Sequence, residues 1–130
     1  MSREIILDDF AFLVSETDEK GIINFANDDF CKIAGFGLDE LIGKHHNIVR
    51  HPDMPKNAFK DLWTTVKADG IWTGYVKNKT KNGDFYWVYA TVYPFQNCYG
   101  ERGYISCRRK ASRAEIEQSE ILYSSISFNN

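Results

Sequence analysis

Three runs of alternating β-branched and aromatic residues, at 71–79, 85–95 and 104–108, constrain this chain more than any other feature. Period-two alternation turns every second side chain to the same face, the pattern of a strand with one side buried. The junctions are short. Thr80-Lys81-Asn82-Gly83-Asp84 contains Asn-Gly, a strong turn dipeptide, and Tyr99-Gly100-Glu101-Arg102-Gly103 closes the second connection. Three strands joined this way predict an antiparallel meander. Two further apolar runs, at 11–16 and 22–25, flank Thr17-Asp18-Glu19-Lys20-Gly21 and predict a hairpin at the other end of the chain.

Helical signals fill the space between hairpin and meander. Asn27-Asp28-Asp29 supplies an N-cap and first-turn acids for a helix through Phe30, Ile33 and Ala34, stopped by Gly35. Residues 38–42 predict a second brief helix ending at Gly43, and residues 44–55, with three His and two Pro, read as irregular. From Lys56 the spacing Phe59, Leu62, Trp63, Val66 marks one face of an amphipathic helix reaching about Ala68. Ser112-Arg113-Ala114-Glu115 matches a capping box, after which Ile116, Ser119, Leu122, Tyr123 and Ile126 fall on one helical face. The order predicts an α+β domain: a five-stranded antiparallel sheet, short helices on one face and a C-terminal amphipathic helix.

A chain of 130 residues fits one such domain and can build a core without disulfides or a structural metal. Sixteen Lys and Arg against eighteen Asp and Glu give no basic field for wrapping nucleic acid. Cys31, Cys98 and Cys107 have neither zinc-ligand spacing nor the even count of a secreted framework, so a reducing interior is expected and all three read as packing residues. The N-terminus lacks the apolar stretch of a signal peptide, and no run approaches the ~20 apolar residues of a membrane span. A membrane role is expected only through a partner or a further segment. Aromatic residues make up 15% of the chain, more than a routine core of this size needs. Phe12, Phe25, Phe59 and Trp63 follow core periodicities, whereas Trp72, Phe30 and Tyr75 stand where a flat ligand would want rings.

The Asn27-Asp28-Asp29-Phe30 helix start and the Lys81-Asn82-Gly83-Asp84-Phe85-Tyr86-Trp87 hairpin, within this order of elements, resemble a PAS domain. More narrowly, the run from His46 to Pro55, containing Arg50-His51-Pro52-Asp53, resembles the flavin-binding PAS domain of bacterial aerotaxis receptors of the Aer type. Ala58-Phe59, Leu62-Trp63, Trp72-Thr73-Gly74 and Val76-Lys77-Asn78 continue that resemblance. It implies a sensory domain over residues 11–110, between an N-terminal segment at 1–10 and a helix or tail at 111–130. It also implies FAD held non-covalently, reporting redox state to a chemotaxis transducer or HAMP-bearing signalling protein, in the cytoplasm and at the membrane only through that partner. Receptors of this type carry the signalling module on the same chain, so a fragment and a stand-alone PAS protein of a two-protein energy-taxis system such as CetA/CetB both fit. A PAS–PAS homodimer is a further expected association.

On chemistry alone, Arg50, His51 and Asp53 form a constrained polar cluster beside two prolines. Arg can grip a diphosphate with its planar fork, and His can donate to phosphate or to flavin heteroatoms. Asp53 would orient either neighbour or cap the following helix, and a purely structural cap with a salt bridge suits the same residues equally. Trp72 is expected to stack on a flavin ring or donate its N–H. Asn27 and Asn78 carry amides that serve either the backbone or a flavin edge. His46 and Asn47 complete the cofactor-binding set that the resemblance implies. His45, His46 and His51 lack the carboxylate or cysteine that would complete a metal site. Haem on one histidine is the alternative cofactor, and a cofactor-free dimerisation module the alternative function. No separate acid–base constellation or phosphate-cradling glycine run points to an enzyme.

Overall fold

The computed structural model describes residues 2–129, apart from the side chains of 126–129. The meander forms as the turn chemistry dictates: β3 (Trp72–Lys79) pairs with β4 (Phe85–Gln96), and β4 with β5 (Arg102–Lys110), all antiparallel. Gly83 and Gly100, at the two turns, adopt φ of +93° and +80°, conformations that residues with a Cβ adopt only with strain. The N-terminal hairpin joins β1 (Phe12–Asp18) to β2 (Ile23–Ala26). Asp18 shapes its turn by accepting from the amides of Lys20 and Ile22 at 2.8 and 2.9 Å. β1 then lies antiparallel to β5, closing one sheet in the order β2-β1-β5-β4-β3. Pairing with β1 along its whole length is why β5 extends beyond the predicted 104–108.

α1 (Asp28–Ala34), α2 (Leu38–Leu41) and α3 (Lys56–Lys67) cover one face of the sheet. α3 buries Phe59, Leu62 and Val66, as its spacing predicts. Residues 44–55 are not wholly irregular: His46–Val49 form one 3-10 turn, started by the His45 Nδ1, which accepts from the Asn47 amide at 3.2 Å. α4 (Arg113–Asn129) begins with the predicted reciprocal cap, the Ser112 hydroxyl accepting from the Glu115 amide and the Glu115 carboxylate from the Ser112 amide. It packs on the opposite face of the sheet, where the Tyr123 ring stacks on Trp87 and its hydroxyl donates to the Tyr75 carbonyl at 2.6 Å.

Three core expectations are corrected. Phe12 is 51% exposed, because the inward positions of β1 belong to Leu13, Ser15 and Thr17, and alternation turns Phe12 outward. Phe25 is 42% exposed, because the short edge strand β2 turns Ile23 and Ala26 inward instead. Leu122 is exposed on α4: Ile116, Ser119 and Tyr123 form the packed stripe, and Leu122 lies about 120° round the helix from Ile116. Ile126 lies outside the described side chains.

Candidate functional site

The inward face of the sheet is not filled with large hydrophobes. Cross-strand pairing sets Leu13 beside Arg108, Arg108 beside Ala90 and Ala90 beside Gly74, while the next row runs Ser15, Ser106, Val92, Trp72. Serines and an alanine in mid-sheet leave room beneath α3. The result is a narrow, half-open cleft with about 50 Å³ of free volume. Phe59, Leu62 and Trp63 of α3 roof it, with Val49 of the 3-10 turn, and Val76, Ala90, Val92 and Tyr104 form the apolar floor.

The polar lining is unusual for an interior. Thr17 Oγ1, His46 Nε2, Asn78 Nδ2 and Ser106 Oγ are buried with no hydrogen-bond partner among the described residues, and all four residues line this cleft. Buried polar atoms are ordinarily paired, since leaving one unpaired costs roughly 1–3 kcal/mol. Arg108 is 8% exposed, donates to the Ser15 hydroxyl at 3.1 Å and lies over the Phe30 ring at 5.1 Å. Among the described residues no carboxylate stands within ion-pairing distance of it. Burial accordingly drives its pKa below the ordinary guanidinium value. His46 packs against Trp63 with ring centres 5.2 Å apart, and burial, reinforced by the charges of His45, Arg108 and Arg50, lowers its pKa to about 3. It is therefore a neutral imidazole at physiological pH.

Arg50 links this interior to the outside. Its guanidinium lies 4.0 Å over the Phe59 ring and lines both the cleft and an outer groove that also holds Asn47, His51, Lys56 and Lys79. A backbone bridge to Asn78 fixes the Arg50 position against β3. His51 Nδ1 accepts from the Asp53 amide at 3.0 Å, and burial with the nearby Lys77 charge lowers its pKa. Asp53 is committed to Lys77 Nζ at 2.7 Å, the bond that holds its carboxyl below the usual range.

Of the residues singled out in the sequence, the fold brings His46, Arg50 and Asn78 to the cleft, and Asn47 and His51 to the adjoining groove. Asn27, Asp53 and Trp72 are not among the cleft residues. The Asn27 amide is consumed by the backbone, accepting from Val14 and Phe30 and donating to the Phe12 carbonyl at 2.8 Å. Trp72 donates to Asp61 of α3 at 2.9 Å, and its ring lies across Gly74, where an added Cβ would stand 2.5 Å from it. Tyr75 points to the α4 face and donates to Glu115. Phe30 lies below Arg108 in the core. Sequence reading missed Ser15, Thr17, Ser106 and Arg108. Their signal was present: polar residues at positions that strand alternation assigns to the interior. Among the described residues no cluster of His, Cys, Asp or Glu suits a metal ion.

These elements make an α+β domain whose antiparallel sheet and covering helices enclose a partly polar cleft. Residues 23–108 match the PAS fold, and the chain belongs to that family. It is 47% identical over 120 residues to the aerotaxis receptor of Escherichia coli (strain K12), covering 92% of this chain and 24% of the receptor. A nitrogen fixation regulatory protein of Klebsiella pneumoniae is 27% identical over 100 residues, covering 76% of this chain and 20% of that protein. The chain thus spans about a quarter or less of these relatives. Among solved structures, an RNA-binding light-oxygen-voltage receptor superposes with a TM-score of 0.72 at 17% identity, over 90% of this chain and 35% of that one. The dark form of the blue-light photoreceptor Aureochrome1 LOV superposes with a TM-score of 0.68 at 17% identity, over 87% of this chain and 86% of that one. At such identities the likeness is one of fold. No described helix is long and apolar enough to cross a membrane.

Proposed function

We propose that this chain is a redox-sensing module that binds FAD non-covalently and passes its state by protein contact to a chemotaxis transducer. One observation carries the reading: four buried, unpartnered polar atoms converge on a single cleft that Ser15, Arg50 and Arg108 also line, its other walls being aromatic and aliphatic. That donor and acceptor set suits a planar heteroaromatic ring with a polar edge. The 47% identity to a receptor named for aerotaxis supports the transducer. When bound, a flavin supplies a two-electron redox centre whose ring protonation, and hence hydrogen bonding, changes with its oxidation state.

The chain's own residues divide the work. Neutral His46 has a nitrogen free to engage a ring edge, and the Asn78 amide, beside the Tyr86 hydroxyl, offers a second. Arg50, at the lip, and Asn47, His51, Lys56 and Lys79 of the outer groove are the residues that would hold the diphosphate. Because Asn78 sits on β3 and Ser106 on β5, a change in what they bond alters strands that run the width of the sheet. α4 reads the other face of the sheet through Tyr75 of β3 and Trp87 of β4. Only a difference in interaction with the two redox states biases such an equilibrium. No catalytic role is assigned to any residue, and a cytoplasmic setting is proposed with the transducer.

The free His46 Nε2 also favours a second reading, haem ligated by one histidine. Purified protein decides between them. Flavin absorption bands that bleach on anaerobic reduction support FAD, a Soret band selects haem, and a protein that stays colourless after FAD is added refutes the cofactor reading.

A further inference from the structure

Arg108 is the least explained charge in the molecule. It stands in mid-sheet, 8% exposed, between Leu13 and Ala90, and its partners among the described residues are a serine hydroxyl and the face of Phe30. Removing a guanidinium from water without a counter-charge is unfavourable, and a fold with no use for it would place an apolar residue there. Two features limit what could complete it. The cleft, with about 50 Å³ of free volume, has no room for a whole dinucleotide, so at most the ring end of one is enclosed there. Three cations, Arg50, Lys56 and Lys79, gather at the outer groove with His51, where a diphosphate would keep part of its hydration.

We propose that Arg108 recognises the electron-rich carbonyl edge of the bound ring, with the hydroxyls of Ser15 and Ser106 beside it, and takes no part in holding phosphate. This rests on the flavin reading above and adds an orientation to it. The ring enters with its imide edge, an acceptor–donor–acceptor array, toward β1 and β5. Serine hydroxyls both donate and accept, so they suit the mixed array, while the guanidinium fork suits its carbonyl oxygens. Ser15 and Ser106 are directly paired across β1 and β5, which sets both hydroxyls at one level of the floor.

The test uses three probes, riboflavin, FMN and FAD, titrated into ligand-free wild-type, Arg108→Met, Ser106→Ala and Arg50→Gln proteins. Arg108→Met is expected to weaken all three probes alike, by about tenfold or more, the loss of a charge-assisted hydrogen bond. Ser106→Ala, which keeps the charge, is expected to weaken all three by a smaller common factor. Arg50→Gln is expected to weaken FMN and FAD while sparing riboflavin. Ligand-free Arg108→Met should melt no lower than wild type, because an uncompensated buried charge has been removed. A loss in Arg108→Met confined to the phosphorylated probes, an unchanged affinity, or a lower melting temperature of that ligand-free variant would each overturn the proposal. If wild type binds all three and Arg108→Met binds them equally well, the proposal fails and the flavin reading stands; if wild type binds none, both fail.

Discussion

Acidification should destabilise the ligand-free fold through His46 in particular. In the unfolded chain this imidazole takes up a proton around its ordinary value of 6.5, whereas in the folded chain it stays neutral down to about 3. Above pH 6.5 neither state binds the proton and the stability is complete. As the pH falls below 6.5 the unfolded state gains the proton and the folded state does not, so stability is lost progressively until the folded imidazole also titrates near 3. Between pH 7.5 and pH 5.0 this linkage amounts to about 2 kcal/mol, at 1.36 kcal/mol per unit of pKa difference traversed. For a domain of this size that is a drop of about 1 M in the urea midpoint. Urea unfolding followed by tryptophan fluorescence at the two pH values, on wild type and His46→Gln, isolates the contribution, because every other titrating group is common to both. The wild type should lose about 2 kcal/mol more than the variant over this interval. Equal losses in the two proteins would refute a buried neutral His46, and a larger loss in the variant would reverse the sign of the argument.

Three further outcomes follow from the geometry. Gly103→Ala should destabilise the domain by about 2–3 kcal/mol, because an added Cβ would stand 2.3 Å from the Thr17 carbonyl oxygen on the paired strand β1; a thermal melt checks it, and an unchanged midpoint would contradict that close approach. Trp72→Phe removes the hydrogen bond to Asp61 and should lower stability by about 1 kcal/mol while leaving flavin retention intact, so loss of flavin from a folded variant would place Trp72 in the site after all. Tyr123→Ala removes the stack on Trp87 and the bond to the Tyr75 carbonyl; hydrogen exchange should rise across residues 113–123 and stay low in β4 and β5, and uniform exchange would mean that α4 is not an independently releasable element.

The backbone plan was legible in the sequence because its signals are local. Asn82-Gly83 specifies its turn, Ser112 and Glu115 specify their cap, and Phe59, Leu62 and Val66 specify the buried side of α3 within a few residues each. Errors arose where burial depends on what covers a face. Phe12 alternates correctly, but only the neighbouring Leu13, fully buried, shows which of the two faces is inward. The site was legible in part for the same reason. Arg50, His51 and Asn78 could be picked out by residue type, whereas Arg108, Ser15 and Ser106 become a group only when β1 and β5, some ninety residues apart, are laid side by side. Trp72 shows the converse: an aromatic at the head of a strand suggested stacking, and its indole instead closes the gap between β3 and α3 over Gly74.

The central claim is that the cleft beneath α3 holds a flavin, and its most direct measurement is the absorption spectrum of the purified protein together with the mass of whatever denaturation releases. The account predicts flavin bands that bleach on anaerobic reduction and a released mass equal to FAD. A Soret band, or a protein that remains colourless after incubation with FAD, would contradict it.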